Sequence, residues 1–395
     1  MIKRIKIRDF KSIRELELEL EPVTVLIGRS GTGKSNIVQA LRFLRNLLLN
    51  YDEAISYEFG WERIVPVGEP MPKTAIEVWF SVPGEDREFS YRIGFGVPAD
   101  GHFSGQLLLK EERLSLGTES LFSRVRRPQH DWKWERVPSI SPPPLAQGER
   151  PILGQFPALQ HLVFAHAVLS TGIGYYHFPA TALARGNSDA RGQVLFREMP
   201  GLSDSAENYL RVILSITQNF NNPSIRRNIL ASLREINPGI ASVELDSVTT
   251  PQRAIIGHKT ADLTFGLSLD QESDGLRRFY AHLLALYQTP SKLTLVFEEP
   301  ENAIFPGALS LLADEFNSAP RENRGQVILT THNPILLDAF DVDSLRAVEL
   351  RDGKTVVGPI AKEQSDAVKA HLLTTGELLT TDRARLAEAE ALQPA

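Results

Sequence analysis

The chain has 395 residues, 42% hydrophobic and 23% charged, and its 43 basic against 49 acidic side chains leave a formal charge of −6. That composition supports a folded protein with core enough for one large or two ordinary domains, and the negative balance excludes a global basic footprint for nucleic acid. With no cysteine, disulfides, thiolate metal sites and cysteine nucleophiles are excluded from these residues.

No apolar run approaches bilayer length. The alternating start Met1-Ile2-Lys3-Arg4-Ile5 reads as a strand and not as a signal peptide, so a cytoplasmic protein without a membrane partner is the expectation. Residues 2–27 read as a set of strands. Ile5 and Ile7 alternate with Lys6 and Arg8, and Leu16, Leu18 and Leu20 alternate with Glu15, Glu17 and Glu19. Val23-Thr24-Val25-Leu26-Ile27 is almost uniformly apolar, as a central strand covered on both faces requires.

Directly after it comes Gly28-Arg29-Ser30-Gly31-Thr32-Gly33-Lys34-Ser35, which fits the P-loop pattern in its required strand–loop–helix context. The helix that follows is marked by Ile37, Leu41, Leu44 and Leu48 on one face. Each residue type has a physical task. The glycines let the backbone turn its N–H groups toward phosphate oxygens, and the helix N-terminus adds partial positive charge. Lys34 supplies a mobile charge for the β- and γ-phosphates, and the Ser35 hydroxyl is a Mg²⁺ ligand. Nucleotide binding is the reading.

Further strand-like runs cover Ala75–Val82, Phe89–Val97 and Gln106–Leu116. Residues 117–155 are rich in Pro, Arg and Ser, with Ser141-Pro142-Pro143-Pro144, and read as a loop-rich insertion. Within it, Arg124, Arg126, Arg127, His130, Lys133 and Arg136 interleave with Trp132 and Trp134, a mixture suited to phosphate contact and base stacking; a surface loop has the same composition. Residues 204–236 turn helical, with Tyr209, Val212, Ile213, Ile216, Ile229, Leu230 and Leu233 at helix spacing. Short strands follow near 240–247, 253–257 and 262–269.

Ser273-Asp274-Gly275-Leu276-Arg277-Arg278 opens a helix to about residue 288, with Ser273 as N-cap. Arg277 and Arg278 stand in the first turn, where cations oppose the helix dipole, and a docked phosphate would relieve that conflict; two solvated arginines are the alternative. Leu293–Phe297 is an apolar strand ending in Glu298-Glu299-Pro300-Glu301. Strand side chains alternate, so Glu298 can hold Mg²⁺ opposite Ser35 while Glu299 polarises an attacking water. Val327–Thr330 is a second buried strand, and His332 at its end stands where doubly wound sheets place ligand contacts. A neutral imidazole there can hydrogen-bond a γ-phosphate or the attacking water. No internal repeat or coiled-coil heptad run is present.

In this order the motifs resemble the ATP-binding-cassette class ATPases of the SMC/RecF/OLD type, specifically the bacterial group called "predicted AAA-type ATPases". Ile7-Arg8-Asp9-Phe10-Lys11-Ser12-Ile13 is similar to that group's opening strand, and Gly28–Ser35 with Asn36 to its Walker A. Ser273-Asp274-Gly275 resembles the signature motif, Phe297–Asn302 the Walker B and Thr331-His332-Asn333-Pro334 the H-loop. The resemblance covers most of residues 1–360. It implies an α/β fold: a P-loop NTPase of ABC-ATPase head type, with a mixed central sheet, N-terminal antiparallel strands and an inserted helical lobe. On that plan residues 1–395 form one bilobal domain. Residues 1–116 carry the N-terminal sheet and Walker A, 117–155 the insertion, and 156–260 a middle lobe. Residues 261–360 carry the signature, Walker B and H-loop, and 361–395 a C-terminal helix and tail.

By that similarity Gly28, Arg29, Ser30, Gly31, Thr32, Gly33, Lys34, Ser35 and Asn36 bind ATP, and Ser35 and Glu298 hold Mg²⁺. Glu299, His332 and Lys34 are the catalytic residues. Ser273 and Gly275 contact the nucleotide of the opposite protomer, which implies a homodimer with composite sites. Glu298 stands where Asp is usual, Phe305-Pro306 where His-Pro is usual, and the family's Gln loop is left without an assigned residue. About sixty residues follow His332, too few for the TOPRIM nuclease domain of OLD proteins, so the resemblance implies a separate effector in antiphage defence or DNA repair. An ATP-bound switch with little turnover and a transporter motor are the alternatives.

Overall fold

The computed structural model describes residues 1–98, 103–127, 132–136, 150–153, 155, 159–184, 201–218, 223–246 and 253–387. In chain order, β1 (Ile2–Phe10) and β2 (Ile13–Glu19) precede β3 (Val23–Ile27), α1 (Lys34–Leu49) and α2 (Tyr51–Tyr57). Then come β4 (Ala75–Phe80), β5 (Phe89–Gly96), β6 (Leu108–Leu116), β7 (Glu119–Arg126) and β8 (Trp132–Arg136). The middle holds α3 (Gln160–Leu169), β9 (Ile173–Tyr176), α4 (Tyr209–Gln218), α5 (Ser224–Ile236), β10 (Ile240–Asp246), β11 (Arg253–Lys259) and β12 (Thr264–Ser268). The remainder is α6 (Asp274–Tyr287), β13 (Thr294–Glu298), α7 (Pro306–Ser318), β14 (Gln326–Thr330), α8 (Pro334–Leu337), β15 (Leu345–Arg351), β16 (Lys354–Pro359), α9 (Lys362–Lys369) and α10 (Glu377–Thr380).

The strands form three sheets. An antiparallel seven-stranded sheet runs β2-β1-β4-β5-β6-β7-β8, a six-stranded sheet β16-β15-β3-β14-β13-β9, and a small one β10-β11-β12. The alternation read in β1 and β2 sets their register. Ile5 pairs with Leu18 and Ile7 with Leu16 on the buried face, while Arg4 meets Glu17 at 2.8 Å and Lys6 meets Glu15 at 3.3 Å on the other.

In the six-stranded sheet β3, β14, β13, β9 and β15 run parallel and are covered on both faces. Leu26, Ile328, Val296 and Val348 face α1 and the seven-stranded sheet, and their neighbours Val25, Leu329, Phe297 and Ala347 face the layer of α4 to α7. α1 is therefore wedged between two sheets. It buries Ile37, Val38, Leu41, Phe43, Leu44 and Leu47 there, each contributing about 1.5–3 kcal/mol on full burial. Gln326 links the sheets from inside, accepting the Ile2 N–H at 3.0 Å and donating to the Ile2 and Glu21 carbonyls.

Two expectations are corrected. Residues 119–126 and 132–136, placed in a loop-rich insertion, are β7 and β8 and extend the antiparallel sheet. Arg124 is fully buried, ion-paired to Glu112 at 2.7 Å with Trp132 packed over its guanidinium. Arg124 is therefore not available to a nucleic acid. His130 and Ser141–Pro144 lie outside the described residues. In addition, β9, which lies within residues 156–260 read as a middle lobe, belongs to the P-loop sheet as its edge, paired in parallel with β13.

Glu112 accepts Tyr91 Oη, two Arg124 nitrogens and the backbone N–H groups of Ile152 and Leu153. Removing it leaves a buried guanidinium without its counter-charge. Glu112→Ala is expected to lose about 3–5 kcal/mol of stability in denaturant unfolding, and a loss below 1 kcal/mol would contradict this packing.

Candidate functional site

The loop after β3 has the backbone its glycines imply. Gly31 and Gly33 lie at φ +79° and +101°, left-handed values that side chains resist. A β-carbon on Gly33 would sit 2.2 Å from Thr355 Oγ1 and 2.9 Å from Ser12 Oγ. No side chain caps α1, whose N-cap is Gly33 itself, so the first-turn N–H groups present an anion cradle. Lys34 Nζ donates to the carbonyls of Gly28 and Arg29 at 2.8 and 2.9 Å. Burial pulls its pKa below the usual lysine value, opposed by the negative charges of Glu299 and Glu301.

The loop is braced from two distant segments. Ser12 Oγ lies 2.7 Å from Thr355 Oγ1 and accepts Asn36 Nδ2 at 2.7 Å, and Thr355 Oγ1 donates to the Thr32 carbonyl at 2.9 Å. The Phe10-Lys11-Ser12 turn thus serves the loop directly. Beside it opens a cleft of about 1260 Å³, lined by Lys11, Ser12, Gln39, Arg42, Tyr57 and Arg63 among others.

Parallel pairing aligns the other site elements with this loop. Leu26 pairs with Thr330, and Thr330 with Glu298. With strands about 4.8 Å apart, the ends of β3, β14 and β13 stand side by side within about 10 Å. Glu298 follows the parity of Val296, toward α1 and Ser35. Its Oε2 accepts the hydroxyl of Tyr175 on β9. Burial, with the Glu298 charge beside it, holds that phenol well above its usual pKa.

Glu299 leaves the strand at φ +46°. Its N–H is held by the Thr330 carbonyl and hydroxyl at 3.1 and 3.2 Å, and its Oε2 accepts Asn302 Nδ2 at 3.1 Å. His332 Nδ1 stands 3.4 Å from Glu299 Oε1 and 3.6 Å from Glu301 Oε1, with the ring half-exposed. Glu301 is buried and accepts Thr331 Oγ1 at 2.7 Å and the His332 N–H at 3.0 Å. The structure therefore brings together Gly28–Asn36, Glu298, Glu299 and His332.

Ser273 and Gly275 are placed differently. Ser273 is the N-cap of α6, accepting the Leu276 N–H at 3.3 Å. Gly275 packs on the turn after Glu301, where an added β-carbon would lie 3.1 Å from the Ala303 carbonyl. Among the described residues no hydrogen bond or ion pair joins Ser273 to the P-loop. Arg277 and Arg278 are neither solvated nor positioned for a phosphate. Both are buried. Arg277 donates to the carbonyls of Ala182, Glu272 and Ala180, and Arg278 to those of Pro179 and Asn302. The carbonyl dipoles answer the charge that opposed the helix terminus. Tyr175, Asn302, Thr355 and Glu301 carried no sequence-based role. Glu301 and Asn302 had a signal, as the end of the Walker B-like stretch Phe297–Asn302.

A phosphate-cradling loop, an acidic strand end and a histidine just past the end of the intervening strand, set on a mixed sheet between an antiparallel sheet and helices, make up the fold and site of an ABC-type ATPase head. The chain belongs to the family described as "AAA domain, putative AbiEii toxin, Type IV TA system", whose model matches residues 23–338. A DNA replication and repair protein RecF from Arthrobacter sp. (strain FB24) is 37% identical over 65 residues, only 16% of this chain and 16% of that protein's length. An Smc head bound to the C-winged helix domain of ScpA is 15% identical, covers 92% of this chain and 99% of its own, and superposes with a TM-score of 0.54. An Smc head domain with an extended coiled coil, bound to the C-terminal domain of ScpA derived from Pyrococcus furiosus, is also 15% identical. It covers 94% and 99% with a TM-score of 0.55. Both establish the ATPase-head fold.

Gly33→Ala forces a β-carbon against Thr355 and Ser12 and a strained φ, a cost of about 1–3 kcal/mol. Titration with a fluorescent nucleotide is expected to show at least about tenfold weaker binding. Wild-type affinity would refute this account of the loop.

Proposed function

We propose that this protein binds ATP with Mg²⁺, pairs with a second copy through composite sites and hydrolyses ATP to ADP and phosphate. The observation that carries the reading is the placement of Glu299. It stands at a strand end in register with the P-loop strand, its amide fixed by Thr330, one oxygen held by Asn302 and the other 3.4 Å from His332.

The N–H groups of residues 31–35 and the uncapped turn of α1 hold the phosphates. Lys34 balances their charge. Ser35 and Glu298 are hard oxygen donors, a set that fits Mg²⁺ shared with phosphates and water. Bound there, the ion neutralises charge developing on the phosphate oxygens. Glu299 takes the proton of the attacking water, and His332 contacts the γ-phosphate. The cleft beside Ser12 receives the sugar and base.

Pairing is supported by what the protomer leaves exposed. Among the described residues no hydrogen bond or ion pair links Ser273 to the P-loop. Phe305, whose N–H lies near Gly275, is 68% exposed, and Ile335, three residues after His332, is 50% exposed. Apolar side chains beside both halves of a shared site favour burial against a second copy.

Beyond hydrolysis, we place the protein in antiphage defence or DNA maintenance, acting with a separate effector. The family's description, the RecF relative's name and the ScpA domains bound to the two Smc heads support this. For a nucleic-acid contact the basic segment retains exposed Arg127, Lys133 and Arg136. A switch without turnover has no use for a positioned Glu299. A transporter motor would need a separate membrane partner, since no helix among the described residues is long and apolar enough to cross a membrane.

Glu299→Gln keeps the shape and removes the base. Turnover is expected to fall about 10²- to 10³-fold, with ATP-dependent dimerisation retained in sedimentation velocity; undiminished turnover overturns the assignment. Lys34→Ala is expected to abolish ATP binding in the same titration.

A further inference from the structure

Glu301 lies two residues beyond the proposed base, and its side chain is only 4% exposed. Oε1 accepts the Thr331 hydroxyl and the His332 N–H. Oε2 is buried with no hydrogen-bond partner. Buried polar atoms are ordinarily satisfied, and an ionised carboxylate out of water requires a nearby counter-charge. The positive charge it acts on is the Lys34 ammonium, and the His332 ring stands 3.6 Å from its Oε1.

We propose that Glu301 is a positioning residue: it sets His332 against Glu299 and keeps a fixed negative charge beside Lys34. The proposal rests on the ATPase reading above. Its two accepted bonds pin the peptide that follows β14, which brings the His332 ring to Glu299. Two carboxylate oxygens, which only accept, stand 3.4 and 3.6 Å from Nδ1, so Nδ1 carries the proton and Nε2 is left to face the ligand. The same charge has an opposite effect on binding. A carboxylate beside the triphosphate's lysine repels the incoming phosphates, so Glu301 weakens ATP binding while it orders the histidine for turnover.

Glu301→Gln retains an acceptor for Thr331 and His332, removes the charge and puts an NH2 donor in place of Oε2; Glu301→Asp keeps the charge on a shorter arm. Both variants are compared with wild type in the full-length chain. The readouts are ATP affinity, kcat, melting temperature and the ¹⁵N signals of the His332 ring, identified by their loss in His332→Gln. For Glu301→Gln the expected result is about three- to tenfold tighter ATP binding, at least about tenfold lower kcat and a displaced His332 Nδ1 signal. Glu301→Asp should restore wild-type ATP affinity while kcat stays low. Wild-type affinity, kcat and ring signal in Glu301→Gln overturn the proposal. So does a parallel loss of binding, turnover and melting temperature, which marks a purely structural residue. If wild type binds ATP without turning it over, the ATPase reading fails, and the affinity and ring signal still decide the role of Glu301.

Discussion

The parallel register of β3, β14 and β13 is the constraint on which the site depends. The ends of β13 and β14 lie about 270 and 300 residues beyond that of β3 in sequence, and the pairing of Leu26 with Thr330 and of Thr330 with Glu298 makes them neighbours. A slip of one residue in β13 would turn Glu298 away from α1 and point Phe297 at the P-loop. What forbids the slip is burial on both faces. Val296 packs toward α1, Phe297 among Tyr176, His282 and Phe316, and neither environment accepts a carboxylate. Two hydrophobic layers therefore hold the register that the chemistry uses.

The sequence made the site legible where its signals are local. Gly28–Ser35 needs positive φ, a tight turn and an exposed helix start, all encoded within eight adjacent positions. Glu298, Glu299 and His332 end apolar runs long enough to be seen as buried strands. What stayed hidden depends on distant partners. Ile173–Tyr176 is four residues long, too short for a period to show, and only its pairing with β13 makes it part of the sheet. β7 and β8 lay in a stretch whose prolines and arginines suggested a loop, yet the sheet edge at β6 gave their backbone groups partners.

Arginine caused the clearest misreadings, for one physical reason. Arg124, Arg277 and Arg278 all look like surface charges in one dimension. Each is buried because something remote supplies acceptors: Glu112 for Arg124, and for Arg277 and Arg278 the carbonyls of residues 179–182, nearly a hundred positions upstream. A guanidinium offers five donors in a rigid fork, so it can tie several backbone segments together where a lysine would tie one. Arg278 shows the consequence for function. It reaches the Asn302 carbonyl, and Asn302 in turn holds Glu299, so the start of α6 and the proposed base share one brace.

Glu298 in place of the more usual Asp finds its explanation in the same edge strand. A glutamate carries its carboxylate one methylene farther from the strand, with an added rotatable bond that would leave it poorly ordered. The Tyr175 hydroxyl takes one of its oxygens, and Arg42 packs over the Tyr175 ring at 4.8 Å. The phenol's raised pKa keeps it a donor across the physiological range, so the bond persists whenever the carboxylate is ionised. One oxygen is fixed from the β9 side, and the side chain follows the face of β13 that is turned toward α1. The longer arm and the tyrosine form a matched pair, and the four-residue strand that escaped the sequence is the element that makes the substitution workable.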